Sequence, residues 1–224
     1  MKQRFRKADR EKIISDWRKC LPAMRVERSM TLAKRNGPIL VGLYLQETRG
    51  NDSYSVIPFV HNLSRHNNFV TLTLFYPLKN KRNTYHERFT IQSHEREFSD
   101  ACKRLHKQTL FPLGENLSLS QILGAYEDYI ERKISFITDP MYVDPVCYLT
   151  WCGKINEAKR LAEKNIKILA DWEDRSFLHY GGKQIFLEYL MGIPENPETL
   201  REILEDQIKI LKIEKLPDYG LIYD

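Results

Sequence analysis

The chain lacks the sequence signatures that identify most nucleotide-dependent and hydrolytic enzymes. Its ten glycines form neither a GxxxxGKS/T nor a GxGxxG phosphate loop. The GxSxG nucleophile elbow and the HExxH zinc-protease motif are also absent. We therefore expect no cofactor, and we favour a binding protein. An enzyme whose site is assembled only in the fold stays an open alternative.

Long apolar runs are missing as well. A membrane helix needs roughly 18 consecutive apolar residues, whereas the run at residues 38–45 has only the length of a strand. The basic start at residues 1–7 leads into a charged amphipathic segment, without the apolar core of a secretory signal. These absences predict a cytoplasmic protein with no membrane partner.

Cysteine is scarce, with four residues at positions 20, 102, 147 and 152. They form no CxxC pair, and the spacing of Cys147 and Cys152 matches no common zinc pattern. Three of them fall on apolar faces of predicted helices. We predict four buried free thiols and no metal site.

The front half has the pattern of one helix followed by an antiparallel meander. Apolar residues recur at helical spacing over residues 9–21. Segments rich in β-formers follow, separated by short polar turns that favour antiparallel neighbours over crossover connections. The predicted strands are 29–34, 39–47, 54–62, 69–76 and 87–92.

The back half has the pattern of consecutive helices. Ser93 is a candidate cap for a helix over residues 94–108, and Ser118 with Gln121 fits a capping box. Asp139-Pro140 and Asp144-Pro145 are each a cap residue followed by a proline that suits the first helical position, and we expect a short helix over residues 145–152. Further helices are expected over residues 156–170, after Gly182 and after Asn196. The fold class predicted is α+β: an N-terminal helix and a sheet of about four to five strands, then a C-terminal helical bundle.

Charge is divided unevenly along the chain, whose formal net charge is +5. Residues 1–112 hold 22 Lys and Arg against 10 Asp and Glu, whereas residues 113–224 hold 13 against 20. We predict a basic α+β region over 1–112 and an acidic helical region over 113–224, packed together as one compact unit. Such asymmetry suits a nucleic-acid face, an acidic partner, or contact between the two halves.

The basic residues provide one candidate binding site. Lys79, Lys81 and Arg82 lie in a predicted loop with aromatic residues on both sides, and the basic N-terminus begins with Lys2 and Arg4. Lysine and arginine neutralise phosphates, and exposed aromatic rings can stack on bases. These residues predict RNA or DNA binding as the alternative function.

Histidines are dense in the strand region and provide candidate catalytic residues: His61, His86 and His94, with Glu87 beside His86. An imidazole titrates near neutral pH and can act as a general acid or base, so a histidine-based nuclease site is one possibility. The alternative is that they are polar histidines at turns. The predicted strands contain few carboxylates, which argues against a two-metal nuclease.

The acidic helices provide the candidate for protein binding, because carboxylate-rich faces steer association with basic partners. Our leading hypothesis is a non-enzymatic protein that binds another protein, such as an immunity-type inhibitor that neutralises a basic toxin or nuclease. The candidate contact residues are Glu127, Asp128, Glu131, Asp171, Glu173 and Asp174.

Overall fold

An N-terminal helix and an antiparallel sheet form the front of the molecule. The computed structural model describes residues 5–48, 52–134 and 138–223. Helix α1 covers Lys7–Cys20, and the strands are β1 Arg25–Arg28, β2 Thr31–Asn36, β3 Ile39–Glu47, β4 Ser53–Asn62 and β5 Phe89–Thr90. They pair in sequence order, each antiparallel to the next.

Helices make up the rest of the described chain. They are α2 Ile91–Gln108, α3 Leu119–Glu131, α4 Pro140–Trp151, α5 Ile155–Ala170, α6 Lys183–Gly192 and α7 Pro197–Leu211, with 3₁₀ helices at Asp174–Tyr180 and Ile193–Glu195. The predicted α+β class is therefore confirmed. None of the described helices is both long and apolar enough to cross a membrane. The predicted cytoplasmic location stays a prediction.

The sheet is covered on both faces because its apolar residues point alternately to two sides. Val41 and Leu43 belong to the main core, which also contains Trp17 of α1. Leu40 and Phe59 point the other way and pack with residues of α7 such as Leu204. Opposite Phe59, on β3, Gly42 leaves the space that the Phe59 ring fills, since an added Cβ would overlap that ring.

Two predicted strands are wrong or shortened. Residues 69–76 run beside β4 but form no strand: their backbone-to-backbone contacts with it are the isolated pairing of Val60 with Thr73 and a hydrogen bond from Tyr76 N to the Pro58 carbonyl at 3.3 Å. Leu74 has φ of 50°, which interrupts an extended conformation. The predicted strand 87–92 is reduced to Phe89–Thr90, because the Thr90 hydroxyl accepts a hydrogen bond from Ser93 N and starts α2 there. The predicted turn between β3 and β4 includes residues 49–51, which lie outside the described residues.

The predicted helix start at Asp144-Pro145 is wrong, because α4 starts five residues earlier and contains Pro145 in its interior. The other candidate pair, Asp139-Pro140, begins α4. The Asp144 carboxylate is buried and accepts hydrogen bonds from Asn62 Nδ2 at 3.0 Å and Tyr126 Oη at 2.9 Å. These tertiary contacts occupy the Asp144 carboxylate inside α4. The capping box of Ser118 and Gln121 forms as predicted.

A buried charged cluster joins the front of the chain to the helices. Arg65, just after β4, donates to Asp144 at 3.1 Å and to Asp139 at 3.2 Å. It also donates to the Tyr180 hydroxyl at 2.6 Å. We call Arg65, Asp139, Asp144, Tyr126 and Tyr180 the arginine cluster. Burial raises the pKa of Asp144, and the Arg65 charge opposes that rise.

The C-terminal segment also ties the halves together. The Asn36 side-chain amide donates to the backbone carbonyls of Glu115 and Gly220, at 2.9 and 2.8 Å. Ile222 pairs with Ser118 as an isolated bridge. Residues from both sequence halves therefore share one hydrogen-bonded interior, although the division at residue 112 itself stays a prediction.

Candidate functional site

The basic loop predicted at Lys79 folds as a small hairpin. Lys79 pairs with His86, and Asn80 N donates to the Tyr85 carbonyl at 3.0 Å. The Asn80 side chain accepts from Thr84 N at 3.0 Å, which fixes the turn. We call residues 77–88 the basic hairpin.

Helix α2 holds the hairpin in place through Arg104. Its guanidinium donates to the Lys79 carbonyl, to Glu87 Oε2 at 2.7 Å and to Asp100 Oδ2 at 2.8 Å. Gln108 Oε1 accepts from Lys79 N at 2.9 Å. Because Arg104 and Gln108 lie one turn apart on one face of α2, the helix positions both strands of the hairpin.

The hairpin forms one wall of a groove of about 710 Å³, whose opposite wall is the end of α3. We call it the basic groove. Its cationic and imidazole-bearing residues are Lys79, His86, Arg132 and Lys133, and no carboxylate is among the described lining residues. Its aromatic residues are Phe75, Tyr76 and Tyr85, and the remaining lining residues are Pro77, Asn83, Thr84, Gln108, Leu110 and Ile134.

Two groove lysines have no described carboxylate partner. The Lys79 ammonium lies 5.2 Å from the centroid of the Tyr76 ring, a cation–π contact. Lys133 makes no ion pair among the described residues, whereas Arg132 bonds Asp128 at 2.6 Å. The Tyr85 side chain is 66% exposed. The groove therefore presents free positive charge beside an accessible aromatic ring.

The other predicted nucleic-acid-binding residues lie next to the groove rather than in it. Lys81 and Arg82 occupy the exposed turn of the hairpin. The Lys81 ammonium is 3.8 Å from Asp100. Lys2 and Arg4 lie outside the described residues.

The predicted catalytic histidines occupy different surroundings. His61 is buried on β4, where its Nδ1 accepts from Thr71 N at 3.1 Å and contacts the Thr71 hydroxyl at 2.7 Å. Its proton therefore belongs on Nε2, which has no hydrogen-bond partner among the described residues. Burial lowers the pKa of His61 to about 4.

His94 forms part of a buried hydrogen-bonded chain. Its Nδ1 lies 2.6 Å from the Tyr54 hydroxyl and its Nε2 3.3 Å from Asp16, while Trp17 donates to Tyr54 at 3.0 Å. Burial lowers the pKa of His94. This chain connects α1, β4 and α2. Of the three candidate histidines, His86 lines the basic groove. Its neighbour Glu87 accepts a hydrogen bond from Arg104.

The six acidic candidates lie in two parts of the chain: Glu127, Asp128 and Glu131 on α3, and Asp171, Glu173 and Asp174 just after α5. Glu127 and Glu131 line a groove of about 500 Å³ between α3 and α5, floored by apolar residues of α3, α4 and α5. Glu157, Arg160 and Lys164 of α5 also line it. Three others already have cationic neighbours: Asp128 with Arg132, Glu173 with Arg175, and Asp174 with Lys183. Asp171 follows the last residue of α5.

A second polar cavity, of about 370 Å³, opens beside the arginine cluster. His66, Asn67, Thr71 and His179 line it together with members of that cluster. No sequence motif predicts a site at His66, Asn67, Thr71 or His179, because they come from the loop after β4 and from the helices beyond residue 138. The same holds for Arg132 and Lys133 in the basic groove, since no local pattern places the end of α3 beside the hairpin.

The cysteine prediction is wrong for one pair. Cys20 and Cys102 form a disulfide with a Cα–Cα distance of 6.3 Å, because the end of α1 lies beside α2. Cys147 and Cys152 are buried free thiols, as predicted.

Comparisons with protein-family models, with curated proteins and with solved structures found no match to this chain.

Proposed function

We propose that the protein binds single-stranded nucleic acid, RNA or DNA, in the basic groove. The observation that supports this most is the convergence of Lys79, Lys133 and Arg132 with an exposed tyrosine in a groove whose described lining contains no carboxylate. Lys79 and Tyr85 come from the basic half of the sequence, and Arg132 and Lys133 come from the acidic half.

Charge supports phosphate as the ligand. Each lysine that neutralises a phosphate releases a condensed counterion, which favours binding at low salt. Lys79 and Lys133 have no described carboxylate partner to neutralise them. His86 and Asn83 can supply further hydrogen bonds from the same walls.

The aromatic residues support a single strand over a duplex. A tyrosine stacks on a base only when the base is not already stacked within a helix. Tyr85 is exposed on the hairpin, and Tyr76 lies beneath Lys79. One ring can therefore take a base while the lysines hold the flanking phosphates.

The test measures fluorescence anisotropy of short labelled oligouridine and oligothymidine with the purified protein. We expect Tyr85→Ala to weaken binding by about 1–3 kcal/mol, the contribution of one stacked base. The matched control is Tyr223→Ala, which removes another exposed tyrosine. Equal affinities of the wild type and Tyr85→Ala, or equal losses in both variants, would contradict the proposal.

The α3–α5 groove supports a second proposal, the binding of a partner protein through a basic amphipathic helix. Its floor includes Leu123, Met141 and Leu161. Glu127 and Glu131 stand on its α3 side, and Arg160 and Lys164 on its α5 side. An amphipathic helix buries its apolar face in such a groove. Lysines on the flank of that helix would face the two glutamates, which suits the basic toxin or nuclease in our leading hypothesis.

A designed leucine–lysine helical peptide tests this second proposal. We expect it to bind the wild type and to lose affinity on Glu127→Lys/Glu131→Lys, with little change on the matched reversal Glu173→Lys/Asp174→Lys. If both double variants bind the peptide equally, the attraction is general and the proposal is wrong. Neither reversal alters the basic groove lysines, so the two proposals fail independently.

A further inference from the structure

The cysteine pair lies beside a third side chain that can bind metal. Cys20 is the last residue of α1, and Cys102 lies in α2, with His106 one turn further along the same helix. One ligand atom from each of these three residues lies within 4.8 Å of the other two. Within the described part of the chain, no other three Cys, His, Asp or Glu side chains bring their ligand atoms this close together.

The geometry fits zinc once the sulfur atoms separate. A tetrahedral zinc ion holds sulfur at about 2.3 Å and imidazole nitrogen at about 2.0 Å, so its ligand atoms stand roughly 3.5–3.8 Å apart. Positions i and i+4 place Cys102 and His106 on one face of α2. Small side-chain rotations can therefore bring all three atoms onto one ion.

We propose that, when reduced, Cys20 and Cys102 bind one Zn²⁺ together with His106, and that formation of the disulfide releases it. Binding removes one proton from each thiol, so two thiolates and a neutral imidazole surround the ion. His106 is exposed and the cysteines are half-buried, which leaves a fourth position for water.

Release requires an oxidant, and a low-molecular-weight disulfide is sufficient. The two cysteine thiolates give up two electrons and form one S–S bond between them. The oxidant accepts those electrons, its own S–S bond breaks, and it leaves as two thiolates while Zn²⁺ is freed. The structure shows the oxidised member of this pair.

The experiment measures zinc affinity by competition with a chromophoric chelator, using the whole chain before and after oxidation by a disulfide. Cobalt substitution adds a direct signature, a sulfur-to-metal charge-transfer band. We expect one zinc per reduced chain and none after oxidation. His106→Ala, which changes an exposed residue, should weaken binding at least about tenfold. The matched control His66→Ala should not.

The two free thiols, Cys147 and Cys152, should not contribute to the measured zinc binding. Burial raises the pKa of Cys147 to about 12 and that of Cys152 to about 11, so neither is a ready metal ligand. Both are present in every variant. Zinc affinity that is unchanged by His106→Ala, or that survives oxidation, would overturn the proposal, and so would a reduced wild type that binds no zinc.

Discussion

At the scale of single residues, Lys34 is a lysine whose charged side chain lies in the protein interior. It is fully buried on β2, and burial lowers its pKa to about 8. The ammonium donates to Asn36 Oδ1 and lies 5.9 Å from the Tyr219 ring centroid. Below pH 8 the folded protein therefore holds a charge that water would solvate better.

Lys34→Met should stabilise the protein at pH 7 by about 1–2 kcal/mol. The variant removes the cost of burying the Lys34 charge, about 3 kcal/mol from the pKa difference. It also loses the hydrogen bond to Asn36, which reduces the net gain. The pKa of Lys34 is lower in the folded than in the unfolded protein, so the wild type gains stability as pH rises from 8 to 10.5. The difference in unfolding free energy between the variant and the wild type therefore shrinks over that range. Urea unfolding at pH 7 and pH 10 checks this; a destabilised variant at pH 7 would contradict it.

His61 should make the protein sensitive to mild acid. Its pKa falls from 6.5 to about 4 on folding, so the unfolded chain binds the proton first. The contribution of neutral His61 to the free energy of unfolding is complete above pH 6.5 and is lost as pH falls towards 4. We expect a loss of about 2 kcal/mol between pH 7.5 and 5.

His61→Gln isolates this effect from that of His94, whose pKa burial also lowers. The variant should be less stable at pH 7.5 but should show a flatter dependence of unfolding free energy on pH. The measurement is urea unfolding of both proteins at several pH values. Parallel curves for the two proteins would show that His61 does not titrate as argued.

At the scale of elements, Arg104 of α2 holds the basic hairpin in position through hydrogen bonds. Its three bonds hold Lys79, Glu87 and Asp100. Arg104→Gln should weaken oligonucleotide binding several-fold because Lys79 loses its fixed position, and it should leave the salt dependence of binding nearly unchanged. A salt slope reduced as in a lysine variant would instead mean that Arg104 itself meets a phosphate.

The same scale shows what the sequence could predict. Ser118 and Gln121 fix a helix start through bonds three residues apart, so the local pattern was sufficient. Thr90 shortened a strand by the same kind of bond, and here the sequence pointed to Ser93, the other member of its capping box. Asp144 looked like a cap, but contacts with residues 62, 65 and 126 placed it inside α4.

The candidate sites were predictable only in part, for the same physical reason. Lys79 and His86 were found because one loop carries them both. Arg132 and Lys133 reach the groove from the end of a distant helix, and Cys20 meets Cys102 across 82 residues. No periodic pattern records such meetings, because they depend on how the helices pack on the sheet.

At the scale of the whole molecule, the arginine cluster holds the front and back of the chain together. Arg65 is surrounded by Asp139, Asp144 and Tyr180, which come from the helical half. Asp144→Ala leaves a buried guanidinium short of a partner and should cost about 3–5 kcal/mol. Thermal unfolding checks this. Asp128→Ala, which removes an exposed carboxylate paired with Arg132, is the control and should cost less than about 1 kcal/mol.

We propose that two groove lysines, Lys79 and Lys133, contact the phosphates of a single strand. The most direct measurement is the slope of log affinity against log salt concentration, for an oligothymidine and the wild type, Lys79→Ala/Lys133→Ala and a control with Lys167→Ala, an exposed lysine of α5. Each lost phosphate contact should reduce the slope by about 0.7, so the double variant should lose about 1.4 and the control nothing. An unchanged slope in the double variant would contradict the account.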